Sequence, residues 1–137
     1  MATRIRVGSI LKQSPNAPDL SQSTVVFDSA DLLEADKGLR FALPNLGEFV
    51  TGFVVRFQGQ AYAYVNQCAH VSVELDWNHG DFFTRQKDYL VCATHGAQYR
   101  PDNGFCVMGP CKGKSLKTLT LTEQNQKIII NLIPTTD

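Results

Sequence analysis

The sequence predicts an all-β domain. Three observations carry that reading: from Glu48 onward the chain is a succession of short runs rich in β-branched and aromatic residues, the runs are separated by Gly, Asn and Pro turn signals, and only one segment has the marks of a helix. Residues 8–23, "GSILKQSPNAPDLSQS", are rich in Ser, Pro, Asn and Asp and read as an irregular lead-in crossing the surface. The helical segment is "DSADLLEADKG", Asp28 to Gly38, with Asp28 or Ser29 as cap, acids in the first turn and Gly38 as stop; one or two turns are expected. "EFVTGFVVRF" and "QAYAYVN" form a hairpin about Gln58-Gly59. "DYLVCA", "AQYR" and "FCVMG" are further short strands, the last preceded by the Pro and Asn-Gly turn chemistry of "RPDNG". In "SLKTLTLTEQNQKIIINLI", Leu116, Leu119 and Leu121 are spaced by polar residues, a turn falls at Gln124 to Gln126, and a strongly β-forming run ends the pattern.

A chain of 137 residues, 43% apolar and 19% charged, has the length of one domain (1–137) and can bury an ordinary core without disulfides. Thirteen basic residues balance thirteen acidic ones, which leaves no electrostatic footprint for nucleic acid or an anionic membrane. The partner expected is a protein. No apolar stretch suits a signal-peptide core or a membrane span, the greasiest being "KIIINLI". A cytoplasmic, reducing setting follows, in which Cys68, Cys92, Cys106 and Cys111 are thiols or metal ligands rather than a disulfide frame.

The chemistry concentrates between Asn66 and Gly96, which hold two of the cysteines and all three histidines. Cys68-Ala69-His70 and Cys92-Ala93-Thr94-His95 are separated by the 21 residues Val71 to Val91. A common zinc finger places Cys-Cys in one tight loop and His-His in the other, because each loop chelates a single ion. Here each loop offers one thiolate and one imidazole. That order suits two metals, each loop giving sulfur to an inner iron and nitrogen to an outer one, the ligand set of a Rieske 2Fe-2S centre. A mononuclear zinc site, or buried thiols and surface histidines that share a spacing by chance, are the competing readings.

Cys68-x-His70 with Cys92-x-x-His95-Gly96, followed by "PDNG" and then Gly109-Pro110, resembles the Rieske-type ferredoxins and the Rieske domains of bacterial oxygenase systems. The resemblance runs from about Arg40 to the end. It implies stacked antiparallel sheets carrying a small cluster-binding subdomain, about residues 66–111, of two ligand loops and a proline loop. It implies one 2Fe-2S cluster on Cys68, His70, Cys92 and His95, with Gly96 in the second loop and Gly109 and Pro110 shielding the cluster.

Charge arithmetic gives the reason for such a site. Two ferric ions, two sulfides, two thiolates and two neutral imidazoles sum to zero, whereas four thiolates would leave two negative charges. A neutral centre accepts an electron more readily, and Rieske potentials lie roughly between −150 and +300 mV against about −400 mV for plant-type ferredoxins. High-potential relatives place a serine two positions after the second ligand histidine and a tyrosine four after it, both hydrogen-bonded to sulfur. Those positions here are Ala97 and Tyr99. One donor is missing, so a potential in the low-to-middle part of the range is expected. Respiratory members also staple their ligand loops with a disulfide; the matching positions are Val73 and Thr94, which points toward soluble ferredoxins.

The remaining candidates have plainer expectations. Cys106 and Cys111 flank the proline loop and read as small buried hydrophobes, the alternative being a thiol pair or disulfide that tunes that loop. His79 reads as a solvated turn residue, and Trp77, Phe82 and Phe83 as core. "DFF-TRQKD-YLV" could fold as a small hairpin beside the cluster. Glu74, Asp76 and Asp81 read as solvated charges or docking contacts, and Lys112, Lys114 and Lys117 as a solvated basic strip.

After the cluster is satisfied only His79 is left, so the chain cannot build the two-histidine, one-carboxylate iron site of a catalytic Rieske oxygenase. It also lacks a Gly-rich dinucleotide fingerprint. The chain is therefore expected not to be an enzyme by itself but a one-electron carrier between a reductase and an oxygenase-type terminal enzyme. A small Rieske subunit of a larger reductase, similar to that of assimilatory nitrite reductases, a redox sensor and a zinc-stabilised interaction module are the alternatives.

Overall fold

The computed structural model describes residues 23–134. Its strands are β1 (Thr24–Asp28), β2 (Leu39–Ala42), β3 (Thr51–Phe57), β4 (Gln60–Val65), β5 (Leu90–Val91), β6 (Gln98–Tyr99), β7 (Cys106–Met108), β8 (Thr118–Leu119), β9 (Leu121–Gln124) and β10 (Lys127–Asn131). They form three antiparallel sheets ordered β1-β10-β9, β2-β3-β4-β8 and β5-β6-β7. The lead-in expected over 8–23 lies outside the described residues apart from Ser23.

The middle sheet is apolar on both faces, which explains why "FVV" runs on without a polar break. Successive side chains of a strand point to opposite faces. On β3, Phe53 and Val55 enter one core and Val54 the other; on β4, Tyr64 joins the first while Ala61, Ala63 and Val65 join the second. The second core is closed by Ile128 and Ile130 of β10 with Leu32, Leu43, Leu119 and Leu132. The first core contains Leu75, Phe82, Leu90 and Leu116 together with all four cysteines, Ala97 and Tyr99. One sheet thus serves as the floor of the candidate site and as the roof of the base.

The turns follow the residues that permit them. Gln58 and Gly59 have φ of 52° and 83°, and Asn125 and Gln126 have 54° and 64°, the double positive φ that matches the twist of a two-residue hairpin. The expected helix over Asp28–Gly38 shrinks to one 3₁₀ turn, Ser29–Asp31, and Asp28 makes no side-chain cap. Tertiary bonds take the segment instead. Asp28 pairs with Lys127, Glu34 accepts from the backbone N–H groups of Gln58 and Gly59, and Arg56 donates to the carbonyls of Ser29 and Leu32.

The small hairpin does form. Phe83 bridges Leu90, Val91 N–H donates to the Phe82 carbonyl at 2.8 Å, and Thr84 N–H donates to the Tyr89 carbonyl at 2.8 Å. Phe82 is fully buried and stacks on Phe53 at 3.9 Å between centroids, while Phe83 is half-buried near Phe57. Trp77 corrects the expectation of a core aromatic: it is 77% exposed, because it stands on a turn whose flanking residues, Asp76 and Gly80, are the ones held inside.

Candidate metal centre

The first ligand loop leaves β4 at Asn66 and is shut by a buried polar clasp. Asn66 Nδ2 donates to Asp76 Oδ1 at 3.0 Å and to Thr51 Oγ1 at 3.2 Å, while Asn66 Oδ1 accepts from Leu75 N–H at 2.9 Å. Asp76 Oδ2 accepts from Gly80 N–H at 2.9 Å, and Arg40 lies 3.5 Å from the same oxygen while donating to Glu74 at 2.6 Å. Asp76 was expected to be solvated and is only 3% exposed; a buried carboxylate is tolerated because hydrogen bonds and a cation surround it. Glu74 also accepts from Thr51, whereas Asp81 is exposed beside Lys37. Arg40 and Asn66 are the residues that sequence reasoning misses. The signal available was Asn66 at the very end of a strand, a position from which a side-chain amide can close a loop.

Within that loop Cys68 N–H donates to the Val73 carbonyl at 2.8 Å, turning the Cys68 side chain inward and leaving His70 exposed. The second loop spans β5 to β6. Cys92 N–H donates to the Ala97 carbonyl at 2.9 Å and Gly96 N–H to the Cys92 carbonyl at 2.8 Å, a closure that gives Gly96 a φ of 75°. Ala93 N–H donates to the Leu75 carbonyl at 2.9 Å and ties the two loops together.

This folding brings the predicted ligands together in two layers. Cys68 and Cys92 are buried, and His70 and His95 are exposed with ring centroids 5.0 Å apart in a T-shaped arrangement. Among the described residues no three His, Cys, Asp or Glu side chains are grouped as a single metal ion requires. A buried sulfur pair beside an exposed imidazole pair is the division that a two-iron group with one sulfur-ligated and one nitrogen-ligated iron requires. The donor set fits.

Electrostatics distinguish the two thiols. Burial pushes the Cys68 thiol up, but hydrogen bonds from the Tyr99 hydroxyl and the backbone amides of His70 and Val71 outweigh it and hold the group below its ordinary value. Burial dominates at Cys92 and raises it, against opposing amide bonds from Thr94 and His95. Tyr99 Oη lies 3.1 Å from Cys68 Sγ and accepts from Ala69 N–H at 3.0 Å. Burial raises its ionisation well above the ordinary tyrosine range, so the hydroxyl keeps its proton.

The proline loop closes on itself after β7. Cys106 N–H donates to the Lys114 carbonyl at 2.7 Å and Lys112 N–H to the Gly109 carbonyl at 3.1 Å. Gly109 has a φ of 103°, and a Cβ there would meet Ala97 Cα at 2.8 Å, so the loop packs backbone to backbone against the second ligand loop. Pro110 is exposed beside it. Cys106 and Cys111 are buried and free, as are Cys68 and Cys92, and burial pushes the Cys106 thiol up to about 11. His79 is exposed in a turn, and Lys112, Lys114 and Lys117 are exposed.

Comparison with known proteins agrees with this fold. No curated protein matches the sequence. Among solved structures, a chain in the complex of reduced oxygenase and oxidized ferredoxin of carbazole 1,9a-dioxygenase is similar over 85% of this chain and 99% of its own, with 19% identity and a TM-score of 0.67. The terminal oxygenase of carbazole 1,9a-dioxygenase from Novosphingobium sp. KA1 is 25% identical with a TM-score of 0.66, but this chain, matched over 85% of its length, spans only 31% of that one. Residues 23–126 match the Rieske [2Fe-2S] domain family, and with the two-layered Cys and His pairs in place the chain belongs to that family, whose cofactor is a Rieske-type 2Fe-2S cluster on two cysteines and two histidines.

Proposed function

We propose that Cys68 and Cys92 hold the inner iron and His70 and His95 the outer iron of one 2Fe-2S cluster, and that the chain is a one-electron carrier. The observation that carries this reading is the layering itself, buried sulfur beneath an exposed pair of imidazoles 5.0 Å apart. When bound, the cluster supplies a site that stores a single electron at a potential set by its neutral oxidised charge. The residues of this chain do the rest. The clasp of Asn66, Asp76 and Arg40 fixes the first loop, the Ala93 to Leu75 bond fixes the second against it, and Gly109 and Pro110 shield the site from water.

The donor is a reductase and the acceptor an oxygenase-type terminal enzyme, both docking at the edge around His70 and His95. Support for the acceptor comes from the fold match over 85% of this chain to 99% of a chain in a ferredoxin-oxygenase complex. A cytoplasmic setting fits the four free cysteines. Among the described residues no helix is long and apolar enough to cross a membrane.

The test is a set of single substitutions read by iron and sulfide content and by reductive titration. Cys68→Ala, Cys92→Ala, His70→Ala and His95→Ala should each lose the two irons, while His79→Ala keeps them and still takes up one electron per chain. Retention of the full cluster by any of the first four contradicts the ligand assignment.

A further inference from the structure

The buried thiol of Cys111 is not used by anything described so far. It lies 3.1 Å from Tyr99 Oη and 2.9 Å from Cys106 Sγ, and the Cys106 thiol in turn lies 3.3 Å from the Met108 carbonyl, to which it donates. Tyr99 Oη therefore has three neighbours within reach: Cys68 Sγ at 3.1 Å, Ala69 N–H at 3.0 Å and Cys111 Sγ at 3.1 Å.

The inventory of protons orders these contacts. A phenol has one O–H and two lone pairs. Ala69 N–H occupies one lone pair. A cysteine that ligates iron is a thiolate and can only accept, so the tyrosine proton goes to Cys68 and the second lone pair is left facing Cys111. The Cys111 proton has an oxygen and a sulfur to choose between, and oxygen is the stronger acceptor. With the Cys106 proton spent on the Met108 carbonyl, Cys106 Sγ is left as an acceptor within reach of the Cys111 S–H, and it is the only rival, and the weaker one, to the tyrosine oxygen for that proton.

We infer that Cys111 is a positioning residue for the cluster: its S–H donates to Tyr99 Oη, which polarises the Tyr99 O–H toward Cys68 Sγ and raises the reduction potential. The inference rests on Cys68 being a cluster ligand. Chained hydrogen bonds strengthen one another, most of all where the surroundings exclude water. All four groups belong to the core that contains the candidate site, and Cys111, Tyr99 and Cys106 are 1% exposed or less. One-electron reduction makes the centre as a whole more negative by one charge, so a hydrogen bond donated to one of its sulfurs stabilises the reduced state more than the oxidised one. Its placement also couples the proline loop, which carries Cys111, to the first ligand loop through a residue of β6.

The experiment is the midpoint potential of the cluster-loaded full chain for wild type, Tyr99→Phe, Cys111→Ala, Cys111→Ser and the Tyr99→Phe/Cys111→Ala double variant. Cys111→Ala should make one-electron reduction about threefold less favourable, a drop of ~30 mV at ~59 mV per tenfold. Cys111→Ser keeps a donor and should stay within about 1.5-fold of wild type, ~10 mV. In the Tyr99→Phe background, Cys111→Ala should add no further shift. A purely packing role predicts lower thermal stability for Cys111→Ala with an unchanged potential, and that result overturns the inference while leaving the ligand assignment intact. If the alanine variant does not fold, Cys111→Val is compared with Cys111→Ser; equal potentials for those two overturn the inference. Wild-type protein that binds no two-iron cluster overturns both the inference and the ligand assignment, and is seen before any variant is made.

Discussion

Asn66 Nδ2 donates to Asp76 Oδ1 at 3.0 Å beneath the first ligand loop, so with the Leu75 N–H bond to Asn66 Oδ1 the two ends of the segment that carries Cys68 and His70 are held by two buried hydrogen bonds. Removing the carboxylate leaves Gly80 N–H without its acceptor, takes one of two acceptors from the Asn66 amide and one of two carboxylates from Arg40. Asp76→Ala should therefore destabilise the protein by roughly 3 kcal/mol, at the low end for a broken buried charge pair because Arg40 retains Glu74. Denaturant unfolding of wild type and variant checks the figure; a loss below about 1 kcal/mol would mean that the clasp is not what holds the loop.

Two glycines of the site should respond differently to the same substitution. At Gly96 the backbone has a φ of 75° but no atom lies within 4 Å of an added Cβ, so Gly96→Ala costs only the left-handed conformation, about 1 kcal/mol. At Gly109 the φ of 103° is joined by an approach of 2.8 Å to Ala97 Cα, which is backbone and cannot swing away. Gly109→Ala should cost roughly 2 kcal/mol or more and speed cluster loss on dilution or mild warming. Bleaching of the visible absorption with time compares the two; equal rates would contradict the close packing of the proline loop.

Ala97 is fully buried in the second ligand loop, at the position where a hydroxyl would reach sulfur in high-potential relatives. Ala97→Ser should raise the midpoint potential. One added hydrogen bond of about 1 kcal/mol corresponds to ~40 mV for a one-electron couple. Redox titration followed by visible absorption is the measurement, and an unchanged midpoint would show that position 97 does not address the cluster.

The pair of Arg56 and Glu123 ties β3 to β9 at 2.7 Å, and the Arg56 hydrogen bond holds Glu123 below its ordinary value although burial opposes it. A lowered folded value means that the contribution is present above the unfolded value and is lost as pH falls through the folded one. Glu123→Gln should thus cost about 0.5–1 kcal/mol at neutral pH, with the difference closing as pH falls below the ordinary glutamate value of 4.5. Unfolding curves at pH 7 and in the acid range decide it; a constant difference across that range would contradict the ion pair.

What the sequence made legible is what local chemistry determines. The turns read at Gln58-Gly59 and at Gln124 to Gln126 contain Gly59 and Asn125, which accept positive φ, and the four candidate ligands follow from spacing and ligand type. The hairpin of Phe82, Phe83 and Leu90 was readable for the same reason. Strand β1 was not, because Thr24 to Asp28 pair with Asn131 to Lys127 at the other end of the chain, and no local pattern reports a partner that distant. The helix suggested by Asp28–Gly38 lost to long-range bonds from Arg56 and to Gln58 and Gly59. Asp76 was misread because charge alone suggests solvent, and its burial is made tolerable by Asn66, Gly80 N–H and Arg40, the last 36 positions earlier, which no local pattern reports. The relay through Cys111 depends on atoms converging from β6, the proline loop and the first ligand loop, which spacing does not encode.

The central claim is that Cys68, His70, Cys92 and His95 hold one two-iron cluster that carries a single electron. Its most direct test is the visible absorption and electron paramagnetic resonance of freshly purified protein before and after dithionite, with iron and acid-labile sulfide counted. The account predicts two irons and two sulfides per chain and, on reduction, a rhombic signal with the low average g value of a histidine-ligated centre. Zinc in place of iron, or a cluster with the signal of an all-cysteine centre, would contradict it.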